Sequence, residues 1–485
     1  MLRTLVKDSA VYAVGTIASR LVGFIMIPVY TRVLTPADYG IIEIISRLSD
    51  VIALFLSLGL AEAMLRFYYE VRTEEERRRL VSTAVTINLL ACAVGLLIFL
   101  PLAPQMSALA FGRADYASYV RLAMAGMLIG SFVELPFTLF RAEGKPWRYT
   151  MLSILKLCTH LTWNIVLVVW LRWGVWGVIW SGFLSASMWS LMLGSSLLWR
   201  TGLRPNRRFA FAMLRYGLPL VPASISQFVL HFSDRFFLAQ YATQAELGLY
   251  ALAYRFGMLI STFYGVVSLS WGPWAFQVGS TDDATHHLRR ATALILLGFA
   301  CVSAGIALLS APVIRLMSAP AFWKSADYVP PLALAYWLFV AQGPLSVGTR
   351  LAKRTDLLAV ANAISAAVCL GLSVLWIPRY GAWGAVWMTV ASFAVLGVGT
   401  TIASQRVYAV RHDGWSVGLA LLIAAVPIAY HYCVHLTGWT DLTARLVLAG
   451  LLSVTSVVWL LRREIIRLPL KQIASRWLPL LAGGR

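Results

Sequence analysis

The chain repeats one pattern from end to end: an apolar stretch of about twenty residues, then a short polar connection. Some fourteen such stretches lie at 9–33, 38–62, 81–105, 117–141, 150–171, 174–199, 216–241, 247–272, 291–317, 328–349, 355–377, 380–404, 415–435 and 442–461. A helix of that length crosses a hydrocarbon core of about 30 Å. In lipid, backbone polar groups must be bonded inside the spanning structure, which leaves helices or a closed barrel. The ten-residue alternation of a barrel is absent. Only 13% of the 485 residues are charged, about half the share of a soluble domain. The expected fold class is all-α integral membrane, with about 14 transmembrane helices.

The net charge of +20 follows the topology. Of the 41 Lys and Arg residues, 28 fall at Arg3 and Lys7 and in the clusters 66–79, 141–148, 200–215, 289–290, 350–354, 406–411 and 462–485, all on one side. The other side holds Arg113, Arg121, Arg172, Arg315, Lys324, Arg379 and Arg445. This asymmetry is the positive-inside pattern and places both termini in the cytoplasm. Anionic lipid headgroups match the excess charge, so no nucleic acid is called for. Cys92, Cys158, Cys301, Cys369 and Cys433 all fall in apolar stretches without metal spacing, and read as buried thiols. The first stretch lacks a cleavage site and reads as a signal anchor. No nucleophile–base constellation stands out, and the loops are too short for a soluble domain, so an enzyme is not expected.

The chain also contains itself twice. The stretch Val11 to Arg47 returns near Phe228 to Arg255 with a shift of 208: Ala37-Asp38-Tyr39-Gly40 faces Ala245-Glu246-Leu247-Gly248, and Arg47 faces Arg255. Glu134-Leu135-Pro136 faces Gln342-Gly343-Pro344, and Arg172-Trp173-Gly174 faces Arg379-Tyr380-Gly381. Spans 1–6 and 7–12 are thus two copies. Each has an even number of helices, which makes them parallel repeats. The expected organisation is an N-lobe (1–199), a basic cytoplasmic linker (200–215), a C-lobe (216–404), and two extra C-terminal helices with a basic tail (405–485), the lobes enclosing a central cavity.

Polar residues inside apolar helices face a cavity or one another, because a charge at mid-helix costs about 2.5–3.5 kcal/mol. Arg20 lies in the first helix, beside the small-residue ridge Gly15, Ser19 and Gly23; a cavity role and a structural pair both fit it. Glu43, Arg47 and Asp50 share one helix face, as an internal ion-pair stack or as ligands. Arg255 has Ala251 and Met258 at the equivalent positions, so its charge needs a distant acid or a ligand. Ser224, Gln227, His231 and Asp234 form one stripe, with Arg235 adjacent as the natural partner of Asp234. His231 is either a structural histidine or a group that titrates near neutral pH. Lys156, His160 and Asn164 follow at four-residue steps, and Glu134 sits two residues before Pro136.

The segments SRLVGFIMIPVYTRVLTPADYGIIEI and LRYGLPLVPASISQFVLHFSDRFFLAQY, with the YGAWGAVW-type block closing each half, resemble the Wzx-type polysaccharide flippases. These are members of the multidrug/oligosaccharidyl-lipid/polysaccharide (MOP) exporter superfamily. The resemblance implies two six-helix lobes around a V-shaped cavity. It implies a substrate, an undecaprenyl-pyrophosphate-linked oligosaccharide turned from the cytoplasmic to the periplasmic leaflet of the bacterial inner membrane for O-antigen or exopolysaccharide synthesis. The family's cationic cavity is matched by Arg20, Arg47, Arg235 and Arg255. Arg clamps a pyrophosphate through paired hydrogen bonds. Lys156, His160, Asn164, Gln227 and His231 are further candidates for substrate contact. Asp234, Glu134, Asp50 and Glu43 are candidates for coupling to H+ or Na+. No cofactor or metal is implied. Membrane lipids, a polysaccharide polymerase and glycosyltransferases are the candidate partners. Lipid II transport or multidrug export within the same superfamily is the alternative.

Overall fold

The computed structural model describes residues 24, 26–279, 281, 283–434, 436 and 438–463. Helix is the only regular structure among them. In chain order the helices are α1 (Ile27–Val33), α2 (Pro36–Ser57), α3 (Leu60–Glu70), α4 (Glu74–Phe99), α5 (Ala103–Phe111), α6 (Ala117–Gly130), α7 (Glu134–Ala142), α8 (Pro146–Asn164), α9 (Gly174–Trp189), α10 (Ser195–Thr201) and α11 (Arg207–Gly217). They continue with α12 (Val221–Phe232), α13 (Asp234–Tyr241), α14 (Gln244–Val278), α15 (Ala284–Met317), α16 (Val329–Leu345), α17 (Val347–Leu351), α18 (Thr355–Tyr380), α19 (Ala382–Val407), α20 (Gly414–Cys433) and α21 (Gly438–Arg462).

Among the described residues, 12 helical segments are long and apolar enough to cross a membrane. The count differs from the expected fourteen for two reasons. α2 has 22 residues but carries Asp38, Glu43, Arg47 and Asp50. The span expected at 9–33 lies mostly outside the described residues, which retain only α1 from it. The chain divides into two compact units: Met1–Arg255 with Val313–Tyr328 and Ala359–Val395, and Phe256–Pro312 with Val329–Leu358 and Leu396–Arg485.

In the first unit, the Thr35-Pro36-Ala37-Asp38 turn starts α2 through a reciprocal cap. The Asp38 amide donates to Thr35 Oγ1 at 3.2 Å, and the Thr35 amide donates to Asp38 Oδ2 at 3.0 Å. The continuous span expected over 38–62 is in fact broken. Leu58 (φ 50°) and Gly59 (φ 60°) are left-handed and separate α2 from α3; a non-glycine side chain pays about 1–2 kcal/mol for that conformation. The span expected over 216–241 is broken too, by the turn Leu218–Leu220, where Pro219 has no amide to donate, and again at Ser233. The two interruptions touch. A Cβ on Gly217 would strike the Leu58 carbonyl oxygen, so only glycine allows the approach.

The segment leading into α11 is pinned to α4. Ser82 Oγ donates to the Gly202 carbonyl at 2.7 Å and accepts from the Arg204 amide at 2.7 Å, while Thr83 Oγ1 accepts from the Asn206 amide at 2.9 Å. Met213 of α11 then enters a buried cluster with Leu60, Met64, Leu80, Val81 and Leu135.

In the second unit, Trp271, Ala275, Leu288, Val347 and Val410 form the buried cluster. The C-terminal pair α20 and α21 is tied into this unit by polar bonds. Arg445 Nε donates to both oxygens of Asp441 at 2.9 Å, and its Nη1 donates to the Leu308 carbonyl at 2.9 Å. Tyr430 donates to Asp441 at 3.1 Å. Of the five thiols expected to be buried, Cys92 and Cys369 are, Cys301 is half-buried, and Cys158 and Cys433 are exposed. An apolar helix face directed at lipid counts as exposed in the bare protein, and periodicity alone did not separate it from the packed face.

Candidate functional site

Three helical regions of the first unit meet in a buried charge network. Arg235, at the start of α13, is 1% exposed. Its Nε donates to Glu43 Oε1 of α2 at 3.0 Å, and its Nη1 donates to Asp234 Oδ1 at 2.7 Å and to the His231 carbonyl at 2.9 Å. Its guanidinium carbon lies 3.9 Å from the centre of the Tyr254 ring, within cation–π range. Asp234 also accepts from the Tyr250 hydroxyl, which lies 3.3 Å from Thr389 Oγ1. One turn along α2, Arg47 pairs with Glu43 at 3.3 Å and with Asp50 at 2.7 Å, and stacks 4.4 Å over the Phe232 ring. Arg255 of α14 is half-buried, lies 4.9 Å over the Tyr39 ring, and acts electrostatically on Glu43 together with Arg47 and Arg235.

Three arginines therefore face three carboxylates, and the cluster is close to neutral. The Asp234–Arg235 pair and the Glu43/Arg47/Asp50 stack were legible from spacing. The cross-link from Glu43 to Arg235, 192 positions apart, was not. It neutralises charges that the resemblance assigned to a cationic cavity. Arg20 lies outside the described residues.

Next to the network is a cavity of about 900 Å³, all of its lining drawn from the first unit. Its polar wall consists chiefly of Asp50, Glu62, Asn88, Glu134, Gln227 and His231, set among apolar side chains. Among the described residues no Lys or Arg lines it; Arg47 reaches it only by holding Asp50. Gln227 donates to Asn362 Oδ1 at 2.7 Å, and His231 packs edge-on against Phe393.

A second cavity of about 530 Å³ brings Glu134 together with Lys156 and His160, so Glu134 stands in the wall of both. Lys156 Nζ lies 5.8 Å from the Phe137 ring centre. Asn164, the last member of the α8 stripe, is fully buried. Its Nδ2 is 3.0 Å from His160 Nε2, and its Oδ1 accepts from the Tyr30 hydroxyl at 2.6 Å. α8 passes into a π-helical turn, Ile165–Trp170, directly after it, a local widening often found near functional sites. Tyr30→Phe removes the Asn164 bond and should lower the protein's stability by about 1 kcal/mol, read as a small fall in melting temperature. An unchanged melting temperature would show that the bond contributes nothing.

Glu62 and Asn88 belong to the cavity although neither stood out in the sequence. Glu62 lay at the end of an expected span next to a basic loop, where a carboxylate looks like a solvated charge. Asn88 is the lone amide of an apolar helix, and the rule that flagged Asn164 applies equally to it.

Residues 29–270, about half of the chain, match a family model described as "Polysaccharide biosynthesis protein". A protein of the Lsg locus of Haemophilus influenzae is 20% identical over 285 residues, covering 56% of this chain and 66% of that relative, just under two thirds of its length. Among solved structures, the lipid II flippase MurJ in an inward closed conformation has a TM-score of 0.73 at 13% identity, over 94% of this chain and 99% of that one. An inward-facing multidrug resistance MATE family transporter of the MOP superfamily has a TM-score of 0.60 at 17% identity, over 78% of this chain and 92% of that one. At such identities the likeness is one of fold, and it is to transporters rather than enzymes. With that fold in place, and with the family match spanning both the charge network and the cavity, the chain belongs to the polysaccharide biosynthesis protein family.

Proposed function

We propose that the protein is a flippase that carries a polyprenyl-pyrophosphate-linked oligosaccharide from the cytoplasmic to the periplasmic leaflet of a bacterial inner membrane. The observation that carries this reading is the cavity of about 900 Å³, polar on one wall, inside apolar helices of a polysaccharide biosynthesis protein. A sugar head is hydrated and cannot enter hydrocarbon cheaply. A polar cavity replaces its water while the polyprenyl tail stays in lipid. By the basic-loop topology, the cavity residues 50–62 and 220–232 belong to the cytoplasmic halves of their helices and the charge network lies further out. The network then closes the outer side while the cavity receives substrate from within. Rocking of the lobes 1–199 and 216–404 about the network supplies alternating access.

In this reading Arg47 and Arg235 hold the outer closure, and Arg20 and Arg255 take the pyrophosphate. Glu134, in the wall of both cavities beside Lys156 and His160, is the group we assign to H+ or Na+ coupling. A polymerase and glycosyltransferases act on the same lipid-linked glycan and are the proposed partners.

Purified protein in liposomes with a fluorescent polyprenyl-pyrophosphate oligosaccharide tests the reading. A membrane-impermeant quencher should report protein-dependent loss of leaflet asymmetry, abolished by Arg255→Ala in a protein that still folds. A second reading, export of organic cations, draws on the carboxylates Asp50, Glu62 and Glu134 in the cavity. Movement of cationic dyes with no movement of the glycolipid would replace the first reading by the second.

A further inference from the structure

The charge of the cavity wall limits which glycans it accepts. Of its three carboxylates, Asp50 is held by Arg47 at 2.7 Å. Arg141 and Lys156 act on Glu134, and neither lines this cavity. Glu62 has no ion pair among the described residues. It lies in the first turn of α3, where the helix dipole favours a negative charge. The wall therefore keeps a negative potential in a site with low-dielectric sides, where such a potential is felt strongly.

A second observation in the wall points to a ligand. Asn88 is 8% exposed and lines the cavity, and its Nδ2 has no hydrogen-bond partner. An unpaired buried donor costs about 1–3 kcal/mol, which a ligand oxygen would recover. The remaining chemistry fits an uncharged sugar. Carboxylates accept from hydroxyls, the amides of Asn88 and Gln227 donate to them, and the rings of Phe228 and Phe232, 5.5 Å apart, offer apolar faces.

Resting on the flippase reading, we infer that this cavity selects oligosaccharide heads made of neutral, N-acetylated or amino sugars and rejects heads that carry uronic acid. Glu62 sets the selectivity by repelling a sugar carboxylate, and Asn88 fixes the orientation of the ring it bonds.

The test uses the full-length protein in liposomes with two lipid-linked oligosaccharides of equal length on the same polyprenyl pyrophosphate, one all-neutral and one with a single uronic acid. The wild-type protein should move the neutral head about tenfold faster, with the ratio falling as salt is raised. Glu62→Gln should bring the ratio of the two rates towards one. Equal wild-type rates, or a faster uronate lipid, would overturn the selectivity. That result needs no variant, so poor folding of Glu62→Gln leaves the test decisive. A wild-type ratio unchanged in a folded Glu62→Gln variant would also overturn the assignment to this carboxylate. Movement of neither lipid would instead count against the flippase reading itself.

Discussion

Arg235→Ala should destabilise the purified protein by about 3–5 kcal/mol, the usual cost of removing one partner from a buried ion pair. The side chain is 1% exposed and sits between two carboxylates, Glu43 at 3.0 Å and Asp234 at 2.7 Å. Its loss leaves both acids buried, and the His231 carbonyl keeps its bond from the Tyr254 hydroxyl at 2.8 Å. Thermal melting in detergent should show a large fall, with transport lost in parallel. Adding Glu43→Gln and Asp234→Asn to the same protein should return part of the lost stability, because the uncompensated charges are then gone. A ligand-binding arginine behaves differently: its alanine variant melts normally and only transport fails. Melting therefore separates the structural assignment made here from the substrate role implied by family resemblance.

Gly248→Ala should be nearly as damaging, for a steric reason. α2 and α14 cross at Gly40 and Gly248 with no room between their backbones. A Cβ on Gly248 would collide with the Pro36 carbonyl oxygen, and one on Gly40 with that of Gln244. Backbone cannot yield as a flexible side chain can, so the helices must separate. Overpacking of this kind costs on the order of 1–3 kcal/mol. It would also disturb Tyr250, two residues on, which donates to Asp234. We expect a lower melting temperature and loss of glycolipid movement. A variant that melts and transports like the wild type would show that the crossing is not tight.

The two glycines were visible in the sequence as matching positions of the internal repeat, but their contact was not. A repeat states that two segments are alike and says nothing about whether they touch. The same distinction runs through the site. Helical spacing placed Glu43, Arg47 and Asp50 on one face, and Lys156, His160 and Asn164 on another, because both patterns are local. The bond from Glu43 to Arg235 spans most of the first unit and left no local trace. The charge lining the cavity depends on such long-range contacts too. The resemblance set Arg47 and Arg235 in a cationic cavity, whereas Glu43 links the two across helices, and Glu62, at the end of its span, gave no signal that it faces a cavity. Membrane helices themselves are easily read, since their length and apolarity are set by the bilayer. Their interruptions at Leu58–Gly59 and Leu218–Leu220 are harder, because apolar residues continue straight through them.

The contact between those two interruptions makes a knuckle. Gly217 bears on the Leu58 carbonyl so closely that neither break can flex alone, and Gly59, Leu60, Leu220 and Val221 beside it form part of the cavity wall. α12 extends from this knuckle as a lever of 12 residues, about 18 Å at 1.5 Å per residue. A swing of about 10° at its base moves the far end by roughly 3 Å. That far end leads directly into Asp234 and Arg235, whose bond to Glu43 is itself 3.0 Å long. In the proposed flippase, a small change of angle at the cavity wall would arrive at the opposite end as a displacement large enough to part the ion pair, making loading and unlatching one stroke.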